Sequence, residues 1–356
     1  MDILEDTMTS ARGHAGPAGL LLKGTLFDWV YLIPCTWLMV GLSLDGWAHN
    51  HVPSLETFFT PWHGVLYSGY LASALFLLTV FVLRLRKSSS WQKSLPTGYG
   101  LALLGSAIFA AGGVLDLLWH TLFGIERNVE ALLSPTHLLL ALGGTLIVGG
   151  PFRAAWSRLS ANPSKNPGRL FPMMISLAYI LATLVFFTQF VNPIAHPVAY
   201  VSSVSTEPLG IAGILLQTAL FMGAALLAVR RWRLPFGAFT VLYTIPALIS
   251  GLMSRTSPPE LVAIYAILTG LLIDGFYLVL SPAATHIVEL RVFAFVVPVI
   301  INGIYFLGLA LTAGVGWSVH LWGGAILMAG VVGLLLSYVL VAPALPAQSP
   351  TDVKEE

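Results

Sequence analysis

The 356-residue chain is 56% hydrophobic and only 9% charged, with a mean hydropathy of +0.84 and a formal net charge of +1. Soluble domains carry about 25% charged residues, so a water-facing surface around the whole molecule is excluded. Basic residues scattered over short connections give no support to nucleic-acid binding, and the single cysteine, Cys35, excludes an intramolecular disulfide and a thiolate metal cluster.

Residues 1–24 are polar and mixed in charge. They lack an apolar core followed by a small-residue cleavage site, so the first helix is expected to stay in place as an anchor. Beyond them come continuous apolar runs of the length that crosses the hydrocarbon core, which predicts helices rather than barrel strands. Ten spans are expected, near 25–45, 62–84, 98–120, 135–152, 171–192, 208–229, 236–253, 260–281, 292–313 and 319–341. The expected fold class is therefore all-α: a polytopic membrane protein of repeated helical hairpins. Spans 1–4 fall in residues 25–152, spans 5–10 in 153–341, and a tail occupies 342–356.

Alternate connections are basic. One set holds Arg84, Arg86, Lys87 and Lys93, then Arg153, Arg158, Lys165 and Arg169, then Arg230, Arg231 and Arg233, then Arg291. Arg12, Lys23 and Lys354 add to it from the ends, and of the 17 Lys and Arg only Arg127 and Arg255 fall in the other set. The positive-inside rule then places this set and both termini in the cytoplasm, with the chain in the cell membrane. The extracytoplasmic side collects His49, His51, His63, His120, His137, His196 and His320, with the acids Asp45, Glu56, Asp116, Glu126, Glu130, Glu207 and Glu260.

The first two hairpins carry an internal repeat. Both read Leu-Asp-x3-His, a loop, then Glu-x3-[Thr/Ser]-Pro-x-His, so Asp45, His49, Glu56 and His63 match Asp116, His120, Glu130 and His137. Asp and His four apart project from one helix face. Thr60-Pro61 and Ser134-Pro135 look like an N-cap followed by a first helical residue, which puts each second histidine in the first turn of the returning helix. Weaker echoes add His196, Glu207, Glu260 and His320 as further candidate ligands. His51 and Glu126 have no counterpart in the other repeat and are read as solvated loop residues. Asp28 and Asp274, deeper in the spans, are read as helix-packing hydrogen-bond partners, and Trp47, Trp62 and Trp119 fit an interfacial aromatic belt.

Ionisable groups in or beside apolar spans point to function. Imidazole with carboxylate and no thiolate suits a divalent transition metal, namely copper, iron or zinc, in one binuclear or two mononuclear centres. Asp45-x3-His49-x13-His63 resembles the Asp-x3-His-x12-His metal motif in the C subunit of the copper membrane monooxygenases, the methane and ammonia oxidisers. The resemblance runs from Asp45 to His63, and the second copy, Asp116-x3-His120-x16-His137, departs further from that spacing. It implies a copper site of Asp45, His49 and His63 near the outer face. The expected function is a membrane-embedded metalloenzyme, an oxidoreductase before a hydrolase, acting on a small or lipophilic substrate. A metal-ion or proton-coupled transporter and a non-enzymatic membrane assembly protein are the alternatives.

Overall fold

The computed structural model describes residues 24–52, 58–87, 94–124, 126, 129–158 and 167–341. These residues form α-helices joined by turns and short 3-10 segments, with no β-strand among them. In chain order the helices are α1 (Gly24–His51), α2 (Pro61–Leu85), α3 (Gly100–Phe123), α4 (Val129–Leu133), α5 (Pro135–Val148) and α6 (Gly150–Ser157). They continue with α7 (Phe171–Phe187), α8 (Glu207–Val229), α9 (Ala238–Met253), α10 (Pro259–Leu280), α11 (Ile287–Thr312) and α12 (Val319–Leu340).

Eight helices are long and apolar enough to cross a membrane: α1, α2, α3, α7 with the turn before it, α8, α10, α11 and α12. Two of the ten expected spans take another form. The run expected at 135–152 is α5 and α6, bent by 46° at Gly149. Pro151 there has no N–H to continue the helical ladder, and the Arg153 guanidinium donates to the carbonyls of Leu146 and Gly98 beside the break. The run expected at 236–253 is α9, only 16 residues long. The N–H groups of Phe239 and Thr240 at its start donate to the carboxylate of Asp274 on α10. Asp274 thus serves helix packing as the sequence reading had it. So does Asp28, which accepts hydrogen bonds from the Tyr99 hydroxyl at 2.7 Å and from Arg158.

The hairpins α1/α2, α3/α5, α9/α10 and α11/α12 pack closely, but the expected third hairpin does not close. Instead α7 lies against α9 and α8 against α12. α7, the most enclosed of the candidate spans, has no charged residue on any face, as a helix surrounded by protein should. It joins two apolar cores. One is built by Phe27, Tyr31, Leu38 and Phe109 of α1 and α3, the other by Phe221, Phe239 and Phe293 of α8, α9 and α11. Glycine sets the spacing within the first two hairpins. A Cβ on Gly69 of α2 would lie 2.6 Å from the Leu38 nitrogen of α1, and one on Gly143 of α5 would lie 2.7 Å from the Phe109 nitrogen of α3. Small residues let helix backbones approach in this way.

All of this fixes two ends of the bundle. At one end lie the start of α1, the end of α12 and Arg158, Arg230 and Arg291, the last two donating to the carbonyls of Leu340 and Val341. At the other end α1 and α3 finish, α2 and α5 begin, and the histidines of the repeat gather.

Candidate metal centre

Each hairpin of the repeat assembles one carboxylate and two imidazoles. In the first, Asp45 lies between His49, one turn along α1, and His63, in the first turn of α2. Its oxygens are 3.8 Å from His49 Nε2 and 3.4 Å from His63 Nε2. In the second, Asp116 lies 3.5 Å from His120 Nε2 and 3.3 Å from His137 Nε2. The returning histidines are placed by N-caps, since the hydroxyls of Thr60 and Ser134 accept from the backbone N–H of His63 and His137. In each triad one ligand atom from every residue lies within 4.8 Å of the other two.

The hydrogen bonds around the rings decide which nitrogen faces the carboxylate. His63 Nδ1 is bonded to the Phe58 carbonyl, and His120 Nδ1 to the Gly124 carbonyl at 3.3 Å. A carbonyl only accepts, so both Nδ1 atoms carry a proton and Nε2 is the nitrogen that faces an aspartate oxygen, as a lone pair in the neutral ring or as an N–H donor in the protonated one. In the neutral ring the two electron-rich atoms leave room between them for a metal ion; in the protonated ring the Nε2–H fills that place. The contacts of 3.3–3.8 Å exceed the 2.7–2.9 Å of a charge-assisted hydrogen bond. They come close to the separation of two ligands on one tetrahedral ion, about 3.3 Å for bonds of about 2.0–2.1 Å. Both triads are thus geometrically possible metal sites, and their nitrogen and oxygen donors suit copper, iron or zinc.

Outer partners differ between the halves. The Thr136 hydroxyl donates to Asp116 Oδ1 at 2.7 Å, and the Ser134 hydroxyl lies 2.8 Å from His137 Nδ1. Trp62 occupies the position of Thr136 in the first half, and the Asp45 side chain stays 15% exposed against 1% for Asp116. Glu126 adds a carboxylate 3.1 Å from His120 Nδ1, with both its oxygens buried and neither in a well-formed hydrogen bond. It is the residue placed to hold the His120 ring, as carboxylates behind metal-bound histidines do.

The triads share one cavity of about 670 Å³, lined by Asp45, His49, His63, Asp116 and His137 and enclosed by α1, α3, α5 and α7. Phe58 stands between the halves, its ring centroid 4.9 Å from that of His63 and 6.0 Å from that of His120. Leu38, Phe109 and Gly144 also line the cavity, each seven residues deeper along its helix than Asp45, Asp116 and His137. At 1.5 Å per residue the cavity descends about 10 Å below the triads. One turn deeper still, Cys35, Ile147 and Tyr179 are buried and close the floor. The mouth is bordered by His196, Tyr200, Arg255 and Thr256. Burial and the neighbouring Arg255 charge hold the His196 imidazole below its ordinary pKa.

Of the candidate ligands read from sequence, the structure brings together Asp45, His49, His63, Asp116, His120 and His137. Glu56 lies outside the described residues. Glu130 stands exposed on α4 away from both triads, because the neighbouring inward position belongs to Leu132. His196 reaches the cavity mouth only. Glu207 accepts from Ser202, and Glu260 and His320 are exposed in the first turns of α10 and α12; none of these three lines the cavity. His51, read as a solvated loop residue, is the last residue of α1, stacked on Trp47 with its ring nitrogens on the carbonyls of Trp47 and Ser254. Sequence reasoning passed over Glu126, whose place follows from Gly124. That glycine ends α3 at φ 83° and ψ −179°, a conformation open to glycine, and its carbonyl lies on His120 Nδ1. It also passed over Arg255, counted only as an exception to the charge pattern.

No protein-family model, no curated protein and no solved structure matches this chain.

Proposed function

We propose that the chain is a multi-pass protein of the cell membrane holding two transition-metal ions, one in each Asp-His-His triad, and acting as a metalloenzyme on a lipophilic substrate. The observation that carries this reading is the set of Nε2–carboxylate separations of 3.3–3.8 Å, with Nδ1 of His63 and His120 tied to carbonyl acceptors. Two imidazoles and one carboxylate leave coordination positions open, the arrangement used to bind and activate a small molecule at a metal. Oxidation is favoured over hydrolysis because two such ions beside one cavity provide two one-electron centres. The motif of Asp45, His49 and His63 makes copper the first metal to test, then iron, then zinc.

Counting α5–α6 and α9 as crossings gives ten, with both termini and the arginine end in the cytoplasm and the triads on the extracytoplasmic side. The buried floor of Cys35, Ile147 and Tyr179 favours a one-sided site over a conduit for ions.

The test is metal analysis of the purified full chain, reconstituted in turn with each metal, beside His63→Ala and His137→Ala. Two ions per chain are expected in the native protein and one in each variant. A native chain that retains no metal above background would overturn the reading.

A further inference from the structure

The cavity is deeper, and its upper and lower parts more different, than a metal site alone requires. Below the triads its wall is Leu38, Met39, Phe109, Leu140 and Gly144. Tyr67, one turn into α2 from His63, brings a hydroxyl to the upper edge of this part. The Thr183 hydroxyl beside this wall donates to the Tyr179 carbonyl and is already satisfied. A polar ligand would find few partners deep in the pit, whereas a hydrocarbon chain leaves no polar group of its own unpaired there.

The mouth is the opposite. Arg255 donates through Nε to the Asn50 carbonyl at the end of α1, which fixes its guanidinium at the rim. Among the described residues no carboxylate pairs with it. His196 stands beside it on the same rim. A guanidinium anchored by one nitrogen keeps its two terminal nitrogens for an anion in fork geometry.

From these two halves we infer that the cavity binds a single-chain lipophilic anion, its carboxylate or phosphate head on Arg255 and its tail in the pit beneath the triads. Asn50, which Arg255 touches, is five residues above Asp45, and Leu38 is seven below it. The head then sits about 7 Å above the triad level and the tail ends about 10 Å below it. A mid-chain carbon, neither the head nor the terminal methyl, faces the two triads. Chemistry at that carbon rests on the metal-centre reading; binding of the chain does not.

Photolabelling of the full chain in nanodiscs tests this with four fourteen-carbon probes carrying a mid-chain diazirine: the carboxylate, the phosphate monoester, the alcohol and the trimethylammonium. The experiment is run on chelator-treated and on metal-loaded protein. One or both anionic probes should mark cavity residues beside the triads, such as Leu42 or Leu66, in both preparations, at least ten times more than the alcohol or the cation. Arg255→Gln should remove that preference. Gly144→Leu, which fills the pit from a position where a Cβ meets only the Phe109 ring at 3.8 Å, should cut labelling by all chains. Preference for the carboxylate or for the phosphate names the head group. Equal labelling by all four probes, labelling confined to lipid-facing residues, or full anion preference in Arg255→Gln would overturn the inference. Specific labelling of a native chain that takes up no metal on loading would overturn the metal centre and leave the inference standing.

Discussion

Gly41 of α1 and Leu66 of α2 approach until a Cβ on the glycine would lie 2.5 Å from the leucine Cα. Gly41 is one turn before Asp45, and Leu66 is three residues after His63. The second hairpin repeats the contact: Gly112, one turn before Asp116, faces Leu140, three residues after His137, where a Cβ would lie 3.1 Å from the leucine side chain. The glycines therefore set how near each aspartate comes to its returning histidine.

Gly41→Ala drives a methyl into backbone and should cost about 1–3 kcal/mol of stability, the usual penalty of overpacking. It should also lower metal retention in the first triad, although Gly41 is no ligand. Gly112→Ala meets a side chain that can move and should be milder on both counts. Thermal denaturation in detergent, paired with metal analysis, checks this; equal behaviour of the two variants would refute it.

Thr136→Val removes the hydroxyl that fixes Asp116. Loss of an outer partner of a metal-bound carboxylate should weaken metal affinity about 10–100-fold. Competition with a chelator should reveal one weakened and one unchanged ion per chain. Two weakened ions would mean that the triads behave as a single centre.

Acid should release the metals. Imidazole ligates only as the neutral ring, so protons compete with the ion and occupancy falls as pH falls. The triad with the better-held carboxylate, that of Asp116, should empty at the lower pH. Equilibrium dialysis between pH 8 and about 5 follows the loss, and occupancy that rises on acidification would contradict histidine ligation.

Tyr99→Phe tests the opposite end of the bundle. It takes a hydrogen bond of 2.7 Å from the buried Asp28 carboxylate, which should cost about 1.5–3 kcal/mol, as for bonds to charged groups. Metal content should stay unchanged, because this contact lies far down α1 from Asp45. A coincident loss of metal would show that the two ends are coupled.

What the sequence displayed depended on period. Asp45 with His49 and Asp116 with His120 were legible because a helix repeats every 3.6 residues, and the caps at Thr60 and Ser134 placed the other histidines. Loops follow no such period. Glu130 was paired with Glu56 by its distance from the proline, but the turn at Gly124 brought Glu126 to His120 instead. The break between α5 and α6 was written as Gly149-Gly150-Pro151 inside an apolar run, and apolarity masked it. Arg255 lies 206 residues beyond His49 in sequence, and only the packing of α9 against α1 and α7 brings its loop to the cavity mouth.

Cys35, Ile147 and Tyr179 are buried beneath the cavity, and its polar rim among the described residues is the one at Arg255. On the proposed reading, a molecule that reacts at the triads would leave past Arg255 by the way it came. Product and incoming substrate would compete for one passage, so turnover would be governed by how much less tightly the altered chain is held than the fresh one.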